Sequence, residues 1–118
     1  MSAFGKHWYK ITESENELFF ENDIAVATVN DKKICLGRYN DTLYAFAHKC
    51  PHAGALMQEG YIDMAGNVVC PHHRYKFSLQ NGRNTSGEGY YLKHWPVERR
   101  EDGIYVAMDG GGLFGWLK

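Results

Sequence analysis

The chain has 118 residues, of which 13 are basic and 14 acidic, and its formal net charge is −1. A chain of this length fits one domain, and its balanced charge excludes a molecule-wide positive field toward nucleic acid. No segment is apolar for long enough to be a signal peptide or a membrane span, so we expect a cytoplasmic protein.

The first predicted elements are strands. Short runs rich in Val, Ile, Tyr and Phe alternate with turn residues, and no window combines helical period with caps at both ends. We therefore predict an all-β fold. Residues 8–11 are the predicted opening strand, and residues 25–29, 33–39 and 42–47 are predicted to form an antiparallel meander.

Two further groups of strands follow the meander. Residues 60–63, 67–69 and 75–79 are predicted strands, the last of them ending at the turn dipeptide Asn81-Gly82. Residues 91–99 and 104–108 are predicted to form a hairpin that closes the main sheet, with Pro96 marking an edge or the entry to a strand. The glycine-rich and apolar segment 110–118 is expected to fold back over the barrel.

The three cysteines, Cys35, Cys50 and Cys70, are an odd number, whereas a small domain stapled by disulfides usually has several pairs. This count favours a reducing compartment, where a bound metal is the other common way to fix long loops in a small chain. Cys35 lies inside a predicted strand and is interpreted as a small buried hydrophobe.

Two short segments concentrate the metal-binding side chains. They are Cys50-Pro51-His52 and Cys70-Pro71-His72-His73, with seventeen residues between His52 and Cys70. Each segment supplies one thiolate and at least one imidazole, and the proline after each cysteine fixes φ and removes an amide donor. The pattern predicts two stiff loops that present their ligands to one centre.

This pair of segments resembles the Rieske family, whose pattern is Cys-x-His, a spacer of this length and then Cys-x-x-His. The resemblance implies one [2Fe–2S] cluster, with Cys50 and Cys70 on one iron and His52 and His73 on the other. It also implies a single domain over residues 1–118. In that domain an antiparallel β-barrel or sandwich base would carry a cluster-binding subdomain of two loops, inserted at about residues 48–79.

The ligand set that the resemblance implies bears on the reduction potential. Two neutral imidazoles in place of thiolates make reduction easier, with potentials of about −150 to +300 mV against about −400 mV for plant-type ferredoxins. Some members of the family carry an extra disulfide and hydroxyl groups near the sulfurs, but this chain has Ala55, His72 and Phe77 at those positions. We therefore expect a potential at the low end of the range. A further departure is Arg74, where the family usually has glycine.

Electron transfer without catalysis is the predicted function, since the sequence contains no nucleophile elbow or phosphate-binding loop. The resemblance implies a ferredoxin that accepts electrons from a flavin reductase and passes them to a terminal Rieske-type oxygenase. The alternatives are a non-catalytic small subunit of an NAD(P)H nitrite reductase and a structural zinc-binding interaction module. A mostly apolar partner-binding patch is expected around the ligand loops, formed by Pro51, Leu56, Met57, Pro71 and His72.

Overall fold

A computed structural model describes six stretches of the chain, and strands dominate them. The described residues are 6–19, 23–29, 31–51, 54–71, 74–85 and 91–109. Their two helical segments are α1 (Glu15–Leu18) and a turn of 3₁₀ helix (Met57–Glu59). Their strands are β1 (Lys6–Thr12), β2 (Ile24–Val29), β3 (Lys32–Tyr39), β4 (Thr42–Ala47), β5 (Tyr61–Ile62), β6 (Asn67–Val69), β7 (Lys76–Ser78), β8 (His94–Trp95), β9 (Val97–Arg100) and β10 (Gly103–Asp109). The all-β prediction is confirmed.

Two antiparallel sheets form what we call the base. One has the strand order β1-β10-β9 and the other has the order β2-β3-β4-β8, which contains the predicted meander. Side chains alternate between the two faces of a strand, so Ile34 and Leu36 of β3 lie on the same face. Both are fully buried in the core that the two sheets share. Its other buried members are Phe19, Ala25, Val29, Leu43, Ala45, Ile104, Val106 and Met108.

A third sheet, β5-β6-β7, lies over the opposite face of the β2-β3-β4-β8 sheet. Cys35 and Phe46 from that face share a second hydrophobic cluster with Val68 of β6 and Phe77 of β7. Because β3 is covered on both sides, its central residues are all buried and form one apolar run. We call the described residues between 48 and 79 the small subdomain, since they include this sheet and both cysteine segments.

Helix α1 is an element that the sequence analysis did not predict. Ser14 precedes it, and the Ser14 hydroxyl accepts a hydrogen bond from the Glu17 amide at 3.3 Å. Ser-x-x-Glu is a recognised helix start, in which the serine satisfies an amide that has no partner within the helix. The helix has only four residues, which is too short for a hydrophobic period to appear.

The prediction that a single C-terminal hairpin closes the main sheet was wrong, because the chain changes sheets at Pro96. β8 pairs with β4 in one sheet, whereas β9 pairs with β10 in the other. Proline has no amide hydrogen to continue a ladder. Its carbonyl accepts a hydrogen bond from the Ala107 amide at 3.0 Å, which ties the crossing point to β10.

Two further expectations concern membrane spans and the C-terminal segment. Within the described residues, no helix has the length and apolar character needed to cross a membrane. The expected packing of segment 110–118 against the barrel lies outside the described residues.

Candidate metal centre

The first cysteine loop leaves the end of β4 and is closed at its base by main-chain hydrogen bonds. Lys49 and Leu56 form an antiparallel bridge. The Cys50 amide donates to the Ala55 carbonyl at 2.8 Å, and the Cys50 carbonyl accepts from the Gly54 amide at 2.9 Å. These bonds fix the backbone of Cys50 through both its amide and its carbonyl group.

The second cysteine loop connects β6 to β7 and is closed in the same manner. The Cys70 amide donates to the Tyr75 carbonyl at 2.8 Å, directly after the paired residues Val69 and Lys76. In both loops the cysteine amide therefore bonds the carbonyl five residues further along the chain. The two cysteines occupy equivalent positions in two similarly closed loops.

The two loops also share a left-handed residue four positions after the cysteine. Gly54 has φ of 71° and Arg74 has φ of 55°. Glycine adopts this conformation without strain, whereas a residue with a Cβ atom pays about 1–2 kcal/mol. This conformation explains why glycine is usual at the position of Arg74, and the arginine keeps the same backbone geometry.

The structure brings the two cysteine side chains into one buried cluster. Cys50 is 3% exposed and Cys70 is fully buried, and both belong to the cluster beneath the loops. The apolar members around them are Ile24, Phe46, Met57, Val68, Phe77, Leu79 and Leu92. The other two predicted ligands, His52 and His73, lie outside the described residues, as does His72.

Gly60 joins the first loop to the strand that leads into the second. A Cβ atom at this position would lie 1.9 Å from the Val69 carbonyl oxygen, far inside any permitted contact. Only glycine allows the segment after the 3₁₀ helix to pass so close to β6. Since Val69 precedes Cys70, this contact positions one cysteine loop relative to the other.

The turn between β5 and β6 is held by Asp63. Its carboxylate accepts hydrogen bonds from the Ala65 amide at 2.9 Å and the Asn67 amide at 3.0 Å, and it lies 3.7 Å from Lys76 of β7. Burial alone would raise the pKa of Asp63, but the hydrogen bonds from Asn67 and Ala65 lower it overall. The charged carboxylate therefore stabilises the hairpin that leads to Cys70.

Cys35 belongs to the same hydrophobic cluster, but its environment does not suit a metal ligand. Cys35 has no exposed surface and is surrounded by apolar side chains. Burial raises the pKa of its thiol to about 12. A thiol with that pKa stays protonated at neutral pH, whereas a metal ligand must be a thiolate. The interpretation of Cys35 as a small buried hydrophobe agrees with this environment.

The expected partner-binding patch is partly corrected by the structure. Pro51 and Pro71 are exposed and Leu56 is half-buried, but Met57 has no exposed surface. The Met57 amide bonds the His48 carbonyl at 2.8 Å as the chain turns into the 3₁₀ helix, which directs the side chain into the cluster. Met57 therefore supports the loops from beneath and does not form part of their surface.

The geometry suits a metal that prefers sulfur. Two cysteines lie in one water-poor cluster, and each stands at the base of a loop whose next residues include histidine. Thiolate and imidazole are the donors of mixed iron–sulfur centres and of zinc sites alike. The described residues contain no group of three or more side chains placed to hold a metal ion. The two buried cysteines are therefore only part of a candidate centre, and the identity of the metal depends on other evidence.

That evidence comes from similarity to known proteins. The family model described as Rieske [2Fe-2S] domain matches residues 7–96. The chain is 30% identical, over 76 residues, to the 3-phenylpropionate/cinnamic acid dioxygenase ferredoxin subunit of Photorhabdus laumondii, covering 64% of this chain and 72% of that protein. It is 28% identical to the nitrite reductase [NAD(P)H] of Emericella nidulans, covering 86% of this chain but only 10% of that protein.

A solved structure has the same fold. It is a chain of the complex of reduced oxygenase and oxidized ferredoxin in carbazole 1,9a-dioxygenase, with a TM-score of 0.71 and 26% identity. The superposition covers 85% of this chain and 92% of that chain. The arrangement of a two-sheet base and a small loop-bearing sheet is therefore shared along most of both molecules.

Proposed function

Because the chain belongs to the Rieske [2Fe–2S] domain family, we propose that it is a ferredoxin that delivers electrons to a terminal oxygenase. The observation that carries the proposal is the similarity to a dioxygenase ferredoxin subunit, of which this chain covers 72%, within a family match over residues 7–96. The predicted family, the single [2Fe–2S] cluster and the electron-carrier role are confirmed at the level of the family. A structural zinc module has no support from the relatives.

We propose that Cys50 and Cys70 hold one iron of the cluster and that His52 and His73 hold the other. The similar closure of the two loops and the shared burial of the two cysteines support this assignment. When bound, the cluster supplies a centre that gains and loses one electron. The protein's part is to keep the thiols fixed by main-chain hydrogen bonds and to exclude water from beneath them with an apolar cluster.

The proposed physiological partners follow from the names of the relatives. One relative is a dioxygenase ferredoxin subunit, and a structural neighbour comes from an oxygenase–ferredoxin complex. We propose a flavin reductase as electron donor and a terminal oxygenase as acceptor. We further propose one domain over residues 1–118 with the cluster-binding insertion at about 48–79. We also propose a cytoplasmic location, because the three free cysteines are typical of a reducing compartment.

The test is reconstitution of the electron-transfer chain. Purified holoprotein is combined with NADH, a flavin-dependent ferredoxin reductase and a terminal Rieske oxygenase, and oxygenated product is measured. We expect product formation to depend on this chain and to be lost with Cys70→Ser. Efficient reduction of the cluster with no electron delivery to any oxygenase tested would contradict the proposed acceptor while leaving the carrier role intact.

A nitrite reductase subunit is the second candidate, favoured by the similarity that extends over 86% of this chain. The chain spans only 10% of the length of that relative. Co-expression with a sirohaem-containing nitrite reductase subunit discriminates the two. A stable complex with nitrite-dependent NAD(P)H oxidation would favour this candidate over the oxygenase ferredoxin.

A further inference from the structure

A basic cleft opens beside the first cysteine loop. It has a volume of about 490 Å³ and its walls include Lys32, Lys33, Lys49 and Lys93 around the indole of Trp95. Its other lining residues are Ala47 and His48. Among the described residues that line it there is no carboxylate, so the cleft concentrates positive charge.

Two of the four lysines of the basic cleft lie over the aromatic ring of Trp95. The Nζ atoms of Lys32 and Lys93 each lie 5.8 Å from the ring centroid of Trp95, within the range of a cation–π interaction. Trp95 itself is fixed by pairing with Ala45 of β4. The Lys93 carbonyl accepts from the Ala47 amide at 2.9 Å, which joins the two walls of the cleft.

These lysines differ from several basic residues elsewhere. Lys10, Arg38 and Arg99 form ion pairs with carboxylates, at 3.4, 3.4 and 2.8 Å respectively. Within the described part of the chain, no carboxylate lies within ion-pair distance of the four cleft lysines. Their charge is therefore available to a binding partner.

The basic cleft stands out because the molecule as a whole has almost no net charge. The chain has one more acidic than basic residue, so four clustered lysines must be balanced by carboxylates at other positions. A second cleft carries Asp23, Asp41 and Asp63, but each of them lies within ion-pair distance of an arginine or a lysine. The four lysines of the basic cleft therefore differ from the charged groups of that cleft in having no such partner among the described residues, and a local positive field of this kind orients an approaching partner.

We propose that the basic cleft docks an acidic surface of the protein that exchanges electrons with the cluster. This inference rests on the proposed function. The cleft is placed for the task because Lys49 directly precedes the predicted ligand Cys50. Complementary charge accelerates and orients encounter, and an aromatic residue at the centre of a charged rim is typical of a binding surface.

A carboxylate-terminated monolayer on gold serves as the acidic surface in the test. Holoprotein is adsorbed at low ionic strength, and voltammetry measures how much of the cluster exchanges electrons with the electrode. The paired variant Lys33→Glu with Lys93→Glu is compared with Lys10→Glu with Arg100→Glu, which changes the net charge equally but in the β1-β10-β9 sheet, away from the basic cleft. Visible and electron paramagnetic resonance spectra first establish that every variant carries its cluster.

We expect the cleft variant to lose electroactive coverage about tenfold or more, since two charge reversals replace attraction to the anionic surface by repulsion. The control pair should retain most of the wild-type coverage, and an ammonium-terminated monolayer should reverse the ranking. Equal losses in both pairs, or no loss in either, would overturn the docking inference. Absence of a cluster in the wild-type protein would instead contradict the proposed function.

Two other occupants of the cleft give different results. If a second copy docked there through its aspartate-rich cleft, sedimentation at low ionic strength would detect a dimer that the Lys33→Glu, Lys93→Glu variant lacks. If a small anion were the ligand, orthophosphate would displace the film more strongly than chloride at equal ionic strength. We expect a monomer and equal displacement, and either opposite result would overturn the inference.

Discussion

The base and the small subdomain are stabilised in different ways. In the base, β1 and β10 have seven residues each and pair along nearly their whole length. In the small subdomain, β5, β6 and β7 have two or three residues each. The small subdomain relies instead on turns, close backbone contacts and the buried side chains of Val68 and Phe77.

Ion pairs strengthen the same contrast. Glu15 of α1 lies 2.8 Å from Arg99 of β9 and 3.4 Å from Arg38 of β3, so one carboxylate connects both sheets of the base. The small subdomain has the Asp63 turn, and its two cysteines, the proposed cluster ligands, lie in one buried cluster. Metal binding commonly provides folding free energy to small sites of this kind. We therefore expect loss of the cluster to loosen the small subdomain and to leave the base folded.

The largest expected effect comes from removing a proposed cluster ligand. Cys70→Ser should abolish the iron–sulfur absorption and reduce bound iron to near zero, because a serine hydroxyl stays protonated at neutral pH and does not replace a terminal thiolate ligand. Cys35→Ala is the matched control, since it also removes a buried thiol but from a residue with a protonated side chain. Iron and acid-labile sulfide analysis distinguishes them. Equal loss of iron in both variants would contradict the ligand assignment.

A smaller but substantial effect is expected at Gly60. Gly60→Ala would place a methyl group against the Val69 carbonyl, and such overpacking costs about 1–3 kcal/mol. The movement of Val69 should also reduce cluster retention, because Cys70 is the next residue. Denaturant unfolding and iron content are the measurements.

Gly37→Ala is the control for the Gly60 variant. A Cβ atom there meets the flexible end of the Ile62 side chain at 3.1 Å rather than a carbonyl group. We expect a smaller loss of stability and normal iron content. An equal effect on iron content at both glycines would mean that the close contact at Gly60 does not position the second loop.

The third prediction concerns the left-handed backbone of Arg74. Arg74→Gly should stabilise the holoprotein by about 0.5–1 kcal/mol, because relief of left-handed strain exceeds the added entropy of the unfolded chain. Arg74→Ala removes the same charge but keeps a Cβ atom, so it should give no gain. Thermal unfolding compares the two variants. Equal stabilisation in both would show that loss of the arginine charge, and not relief of backbone strain, causes the effect.

The smallest effect is expected in the base, at Glu15. The hydrogen bond from Arg99 lowers the pKa of Glu15. The ionised Glu15 therefore contributes to the free energy of unfolding at pH values above its unfolded-state pKa of about 4.3. This contribution disappears as the pH falls through the lower pKa of the folded state. Glu15→Gln should cost about 0.5–1 kcal/mol near neutral pH and nothing in strong acid.

Denaturant unfolding at several pH values checks the Glu15 prediction. Glu17→Gln is the control, because Glu17 is exposed on the same helix and has no ion pair among the described residues. A pH-independent loss for Glu15→Gln, or an equal loss in the control, would show that the ion pairs across the base add little.

Most strands were predictable from the sequence because they satisfy local rules. β4 and β6 have the predicted bounds, since turn residues flank their apolar runs on both sides. The assignment of β8 and β9 to different sheets was not predictable, because the partner of a strand depends on contacts with distant residues. Helix α1 had a local signal at Ser14 and Glu17, but its four residues give no period.

The family was predictable from the sequence, whereas the residues that support the cysteine loops were not. The spacing of Cys50 and Cys70 with their neighbouring histidines was sufficient to indicate a Rieske centre. The burial of Met57 and the close approach of Gly60 to Val69 arise from how the loops pack, which no local pattern encodes. The only sequence signal for Gly60 is that it directly follows a helical turn. Many residue types occur at such a position, so this signal does not reveal the close contact.

The central claim is that two similar loops hold one [2Fe–2S] cluster with mixed sulfur and nitrogen donors. The most direct test is the electron paramagnetic resonance spectrum of anaerobically purified, dithionite-reduced protein, together with metal analysis. We predict a Rieske-type signal that His73→Ala abolishes, with iron and acid-labile sulfide in equal amounts. A colourless protein that contains zinc and no iron under conditions that load such clusters would contradict the account.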